Sequence, residues 1–215
     1  MVVAWETRAM PKQSVPTQPG LGHVVVAGGT PAEWLEMSVE KWDERLRAVA
    51  RAAAAEGAHW VTVVPHHGPD FSENDLLAYA QLMTSVNKVA EVSVPHGSRF
   101  VWERDESLHV IVDPVASGHN RFAATVEGLR SAGVDPESLD EEMLSQAVLA
   151  PATEEPDLVV VLGPADRIPE SMVWELAYSE LVFIDLEWDK FESSHLELAI
   201  DDFNRRHRRF GGLDS

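Results

Sequence analysis

His23-Val24-Val25-Val26-Ala27-Gly28-Gly29 is the stretch from which the fold can be read. A β-branched run too short for a helix, closed by two glycines, marks a strand buried on both faces. The pattern recurs at Trp60-Val61-Thr62-Val63-Val64 before Pro65, and at Asp157-Leu158-Val159-Val160-Val161-Leu162 before Gly163-Pro164. Leu108 to Val112, stopped by Asp113-Pro114, and Leu181 to Ile184 make five strands in all. Helical patterns lie between them. From Ser38 to Glu56, Val39, Trp42, Leu46 and Val49 recur at three- and four-residue spacing, and Gly57 is the natural stop. Further helices are predicted over Asn74–Val89, Arg121–Ser131, Asp140–Leu149 (capped from Asp135 to Ser138), Ser171–Ser179 and Ser193–Arg209, the last with Ser193 or Ser194 as N-cap. Strands alternating with helices imply an α/β fold: a single domain with a mostly parallel central sheet flanked by helices.

That domain is expected over residues 22–215. Residues 1–21, with Pro11, Pro16 and Pro19, read as a flexible leader without the apolar run of a signal peptide. No run approaches the roughly 20 apolar residues that span a bilayer. The chain has 215 residues, of which 45% are hydrophobic, and seven are Trp, which fits a sizeable core. It has no Cys, which excludes disulfides, thiolate metal sites and cysteine nucleophiles. A net charge of −19 repels phosphate backbones and anionic membranes, so nucleic acid is not an expected partner.

In an open parallel sheet, ligands sit beyond the carboxyl ends of the strands. Four segments fall there. Gly28 to Trp34 could turn amides toward a phosphate, but Glu33 opposes one, and a plain tight turn explains the glycines better. Pro65 to Phe71 holds His66 and His67, which as sequence neighbours are expected to point apart, and Asp70, read with Glu73 as a solvated face. Asp113 to Asn120 carries no distinctive pattern. Gly163 to Pro169 holds one cation, Arg167, a surface residue or half of an anion site. At the C-terminus, Arg205-Arg206-His207-Arg208-Arg209 gathers four of the chain's 17 Lys and Arg residues. These cations complement the negative end of a helix, or deliver Arg to a phosphate with Phe210-Gly211-Gly212 letting the backbone approach.

The C-terminal third resembles the cis-prenyltransferases, the undecaprenyl diphosphate synthase-like family. Asp140 to Gln146 opens the stretch. Pro156-Asp157-Leu158-Val159-Val160 is similar to the family's PDLxIRTxGExRxSNF, and Trp174-Glu175-Leu176-Ala177-Tyr178-Ser179-Glu180-Leu181 to its WQxAYxEL. Phe183-Ile184-Asp185 and Trp188 resemble FTDxxWPDF, and Arg205 through Gly212 resembles RxRRFGG. His23-Val24 and Trp34 frame the family's HVAxIMDGNGRW, so the likeness runs over about residues 22–212. It is weakest and looks shortened from Ser72 to Ser107.

The resemblance implies condensation of isopentenyl diphosphate with an allylic diphosphate, with Mg²⁺, in a dimer. It also implies losses. Aligned without gaps, the catalytic aspartate falls on Gly29, and the following G-N-G-R on Thr30, Pro31, Ala32 and Glu33. The segment that helps bind the allylic diphosphate falls near Leu35 to Glu40, which has no Arg or His. The first Arg of RTxGExRxS falls on Val161 and its Ser on Pro169. Arg167 matches the second Arg of that motif, on the isopentenyl diphosphate side. Glu180 matches the interface glutamate and is a candidate for a metal role. Arg209-Phe210-Gly211 matches the R-x-G that reaches across the dimer to the neighbour's diphosphate.

This combination resembles the non-catalytic subunits of heteromeric cis-prenyltransferases of the Nogo-B receptor type. Such a resemblance implies an accessory subunit, inactive alone. It would pair with a complete cis-prenyltransferase through Trp174, Tyr178, Glu180 and Leu181. Arg167, Arg209, Phe210 and Gly211 would contact substrate, with Mg²⁺ held in the partner's site. The expected location is the cytoplasm, peripheral to a membrane through the complex. Two other readings stand beside it. One is a divergent stand-alone prenyltransferase or prenyl diphosphate cyclase that recruits Asp70, Asp113 or Asp166 for Mg²⁺. The other is a homodimeric prenyl phosphate-binding protein.

Overall fold

A computed structural model of the chain describes residues 21–210 apart from 106, 166 and 178, and the side chains of 105, 177 and 207–210 are likewise outside the description. Among the described residues seven strands form one sheet, β1 (His23–Ala27), β2 (Trp60–Val64), β3 (Val89–Val94), β4 (Gly97–Asp105), β5 (Leu108–Val112), β6 (Leu158–Leu162) and β7 (Glu180–Ile184), in the order β3-β4-β5-β2-β1-β6-β7. The pairs β1–β2, β1–β6, β2–β5 and β6–β7 are parallel. The hairpin β3–β4 and its junction with β5 are antiparallel.

All five expected strands are present, and all five residues of β1 and of β6 are buried, as their unbroken apolar runs require. The sheet is flanked by α1 (Pro31–Glu36), α2 (Val39–Ala55), α3 (Glu73–Ser85), α4 (Gly118–Ser131), α5 (Glu141–Leu149) and α6 (Ser193–Phe210). The larger core gathers Trp34, Trp42, Leu46 and Val49 against Val24, Val26, Val61, Val63, Leu196 and Ile200, so α1, α2 and α6 cover one face. Alternate residues of the same strands, Val25, Ala27, Val64, Val159 and Val161, face the other side beneath Met172. Leu21, assigned to the leader by sequence, is buried in the larger core, and residues 1–20 lie outside the description. No helix among the described residues is long and apolar enough to cross a membrane.

Three expectations need correction, and the tight turn expected within Gly28–Trp34 is found. The helix predicted over Asn74–Val89 ends at Ser85, and Val89 already belongs to β3. Lys88, at φ 67°, turns the chain into a hairpin whose other strand, β4, the sequence reading missed as well. Ser171–Ser179 is not a helix; only Glu175–Ala177 forms a 3₁₀ turn. Its polar groups are taken elsewhere. Ser171 Oγ donates to the Pro65 carbonyl, the Ser171 carbonyl accepts from Arg121, and Glu175 pairs with Arg121. Gly28–Trp34 is a turn leading directly into α1, capped by Thr30. Finally, α6 begins at Ser193 itself, and the preceding Glu192 amide donates to His195 Nδ1 rather than to a serine.

Candidate functional site

From β1 the chain proceeds to β2 and β5 on one side and returns to β6 and β7 on the other, so the order reverses between β1 and β6. Their carboxyl ends, Gly28-Gly29 and Gly163, are where such a sheet opens a crevice. Gly29 has φ +70°, a conformation that glycine tolerates and other residues resist. A Cβ built there would sit 2.8 Å from Trp188 Cδ1 and 3.0 Å from Trp34 Nε1; one on Gly28 would sit 2.6 Å from Trp188 Cε3. The Trp188 indole therefore lies directly on the glycine pair.

Two of the amides that might greet a phosphate, those of Thr30 and Glu33, are already satisfied. Thr30 N donates to Glu33 Oε2 at 2.8 Å, Thr30 Oγ1 donates to the same oxygen at 2.9 Å, and Glu33 N donates back to Thr30 Oγ1 at 3.2 Å. This reciprocal capping box stabilises α1 by internal bonds. Pro31 has no amide to offer. Glu33 thus uses its Oε2 to cap its own helix.

Behind the turn, Trp34, Trp42, Tyr79 and Trp188 pack with ring centroids 5.2–6.3 Å apart. Phe100 joins Tyr79 edge-on at 5.5 Å. Trp34, Trp42, Tyr79 and Phe100 are fully buried, so the space between α2, α3 and the sheet is filled by aromatic rings. Arg45 of α2 lies 4.4 Å over the Trp188 ring and donates to the carbonyls of Phe191 and Asp189, clamping the segment that carries the indole.

His66 and His67 do not point apart. Their Nδ1 atoms lie 3.0 Å from each other, so one nitrogen carries the proton and donates to the other. His66 is buried, and burial above all pushes its pKa below the usual histidine value. Arg167 is exposed, and its carbonyl lies 3.4 Å from His66 Nε2. Trp174 stacks on Phe122 at 5.6 Å and donates to Ser145 Oγ at 3.1 Å, joining its segment to α4 and α5. Leu181 packs against the Met172 side of the sheet, and Glu180 lies 4.0 Å from Arg206. Val161 is fully buried within β6. Tyr178, Gly211 and the side chains of Arg209 and Phe210 lie outside the description.

α6 starts beside the Trp188 segment and, at 1.5 Å per residue, runs about 27 Å. Near its end Asn204 donates to Glu56, the C-cap of α2, and Arg206 faces Glu180, the first residue of β7. Its last turn thus reaches the amino-terminal edge of the sheet, opposite the edge that holds Gly29 and His66.

The carboxylates that a divergent enzyme would need are engaged otherwise. Asp70 is not merely solvated: it accepts from Ala116 N at 2.7 Å, Ser117 N at 3.0 Å and Asn120 Nδ2 at 2.8 Å, tying its loop to the start of α4. Asp113 is fully buried and accepts from Arg99 Nη2 at 2.7 Å, Arg99 Nε at 2.9 Å and Arg121 Nη1 at 3.1 Å. Burial raises its pKa, but Arg99 and Arg121 outweigh that and hold it well below the usual carboxylate range. This buried network of Arg99, Asp113, Arg121 and Glu175 was missed by sequence reasoning. Its one signal was Arg99 directly before the apolar run Phe100-Val101-Trp102. Asp166 lies outside the description. Among the described residues no group of three or more His, Asp or Glu could hold a metal. At the glycine turn position 29 offers no carboxylate, and Glu33 Oε2 is engaged in its cap.

Comparison with known proteins decides the family. Residues 74–211 match the Prenyltransf family, described as "Putative undecaprenyl diphosphate synthase". The chain belongs to this family. Isoprenyl transferase 2 of Bradyrhizobium diazoefficiens is 43% identical over 100 residues, which are 46% of this chain and 38% of that protein. The (2E,6E)-farnesyl-diphosphate specific ditrans,polycis-undecaprenyl-diphosphate synthase of Escherichia coli K12 is 38% identical over 88 residues, 41% of this chain and 35% of that protein. The matches thus span little more than a third of these relatives. The fold is that of a probable undecaprenyl diphosphate synthase from Campylobacter jejuni, with a TM-score of 0.57 at 13% identity over 90% of this chain and 100% of the other. Lavandulyl diphosphate synthase from Lavandula x intermedia gives a TM-score of 0.52 at 13% identity, covering 85% and 94%. Cis-prenyltransferase membership and the mostly parallel sheet expected from sequence are both borne out.

Proposed function

We propose that this cis-prenyltransferase family member is a non-catalytic subunit that works with a complete family member making polyprenyl diphosphate from isopentenyl and allylic diphosphates. One observation carries the reading: the residue in the catalytic aspartate's place is Gly29, and the Trp188 indole occupies the space where any side chain at that position would begin. A diphosphate needs cations and free amides around it. Here the Thr30 amide is bound by Glu33, and Pro31 has none. The aromatic packing between α2, α3 and the sheet supports the same conclusion, since it leaves no room there for a growing prenyl chain.

The path of α6 supports action in trans. α6 runs toward the sheet edge remote from the chain's own glycine turn, which favours a role for the R-x-G of Arg209, Phe210 and Gly211 at another subunit's diphosphate. Mg²⁺ would be bound by that subunit. Trp174, Tyr178, Glu180 and Leu181 belong to the region proposed to meet it, and Arg167 is proposed to face isopentenyl diphosphate.

The test is incubation of purified chain with isopentenyl and farnesyl diphosphates and Mg²⁺, alone and with a complete cis-prenyltransferase. Product only with the partner, above the partner's own rate, is expected. Chain elongation by the isolated chain would overturn the reading.

A further inference from the structure

His66 and His67 stand where the sheet opens its crevice. The His66 amide donates to the Gly29 carbonyl at 2.8 Å, and a Cβ on Gly163 would lie 3.8 Å from His66 Cε1. The pair therefore sits between the carboxyl ends of β1 and β6, where the strand order reverses and such sheets take ligands. Along a strand, neighbouring side chains point to opposite faces. β2 ends at Val64, so the two histidines have left that alternation, and Gly68, at φ +113°, turns the chain just beyond them. Their rings converge instead, with planes 85° apart and Nδ1 atoms 3.0 Å from each other.

The partners fix the tautomers. His66 Nε2 lies 3.4 Å from the Arg167 carbonyl, which can only accept, so Nε2 carries the hydrogen and Nδ1 presents a lone pair. His67 Nδ1–H then donates to it. A carbonyl holding the far nitrogen is how a metal-ligating histidine is oriented. The His66 backbone is fixed as well, since its carbonyl accepts from Glu170 N at 3.1 Å. Burial above all holds the His66 pKa below the usual histidine value, so the ring is neutral at neutral pH, the form that ligates.

Two nitrogens 3.0 Å apart subtend about 90° at an ion bonded to each at about 2.0–2.1 Å. That is the angle between adjacent ligands in tetragonal and octahedral coordination. A tetrahedral ion asks for about 109°, and so for nitrogens about 3.4 Å apart. Imidazole suits copper and nickel, whereas magnesium takes oxygen ligands. The charges of Glu170 and Arg167 near His66 oppose each other, and the chain's net charge of −19 favours a cation.

We propose that His66 and His67 form a binding site for one divalent late transition-metal ion of tetragonal or octahedral preference, Cu²⁺ or Ni²⁺, ligated by the two Nδ1 atoms with waters completing its shell. On binding, the His67 proton leaves Nδ1 and Nε2 takes one up, so the ion occupies the place that the shared proton held. With only two protein ligands, the ion keeps exchangeable positions for an oxygen ligand in the crevice. The inference stands apart from the subunit reading, because both ligands belong to this chain.

The experiment titrates the tag-free full chain with Ni²⁺ by isothermal calorimetry and records its electron paramagnetic resonance spectrum with one equivalent of Cu²⁺. One Ni²⁺ per chain is expected, undisturbed by excess Mg²⁺, and the copper spectrum should show coupling to two imidazole nitrogens. His67→Asn, at a half-buried position, should weaken Ni²⁺ binding at least tenfold, while His119→Asn, at an exposed position of α4, leaves it unchanged. Circular dichroism checks folding. Lack of saturable 1:1 binding, displacement by Mg²⁺, equal affinity in folded His67→Asn and wild type, or an equal loss in His119→Asn overturns the proposal. If His67→Asn does not fold, the wild-type copper spectrum decides, and coupling to fewer than two imidazoles overturns it.

Discussion

The Trp188 indole and Gly29 are locked together: a Cβ at position 29 would lie 2.8 Å from Trp188 Cδ1, at a backbone φ of +70°. Restoring the family's aspartate by Gly29→Asp should therefore not restore chemistry. The left-handed backbone costs about 1–2 kcal/mol and overpacking against the indole about 1–3 kcal/mol more. We expect a loss of about 2–5 kcal/mol in urea unfolding, and no turnover by the isolated variant. Wild-type stability in the variant, or product formation, would count against the closed turn.

His23 opens β1 fully buried, with Nδ1 2.8 Å from the Glu154 carbonyl and Nε2 2.9 Å from Thr62 Oγ1. Burial lowers its pKa from 6.5 to about 4. The folded state therefore resists a proton that the unfolded chain accepts. The associated stability is complete above pH 6.5 and is lost as pH falls from there toward 4. The full loss is about 3 kcal/mol. Comparing unfolding free energies between about pH 7.5 and about pH 4.5 for wild type and His23→Asn should show a shallower slope in the variant. Equal slopes would assign the acid sensitivity elsewhere.

The parallel strands were legible because each is an unbroken β-branched run with a glycine or proline stop, and burial on both faces demands that composition. β3 and β4 were not, because Val89–Val94 is half exposed and mixes Ala90, Glu91 and Ser93 with valines. The segment Ser171–Ser179 has helix-compatible residues, but long-range partners, Pro65 and Arg121, claim its polar groups. No local pattern reveals that. The missing carboxylate at 29 could be read directly, whereas the indole filling its place depends on residues 159 positions apart in the chain.

Asp113 balances Arg99 and Arg121 in the interior. Asp113→Asn keeps the shape but takes the paired anion from the buried Arg99 guanidinium, while Arg121 keeps Glu175. Breaking a buried ion pair from one side costs about 3–5 kcal/mol. We expect a loss of that size in denaturant unfolding. A loss below about 1 kcal/mol would mean that water reaches the cluster.

Arg209 lies in the last turn of α6, about 24 Å along the helix from Ser193 at its start. If the R-x-G serves a partner's diphosphate, Arg209→Ala should lower turnover of the reconstituted complex by about tenfold or more, as expected for loss of one group stabilising developing charge. The sedimentation of the complex should not change, since the interface is proposed at Trp174, Tyr178, Glu180 and Leu181 and not at Arg209. Arg206→Ala is the matched control, because Arg206 is engaged within the chain by Asp202 and lies 4.0 Å from Glu180. A selective loss at 209 separates a site role from a general effect of cations at a helix end, which both variants would weaken alike. Equal turnover in Arg209→Ala and wild type would remove the R-x-G from the mechanism.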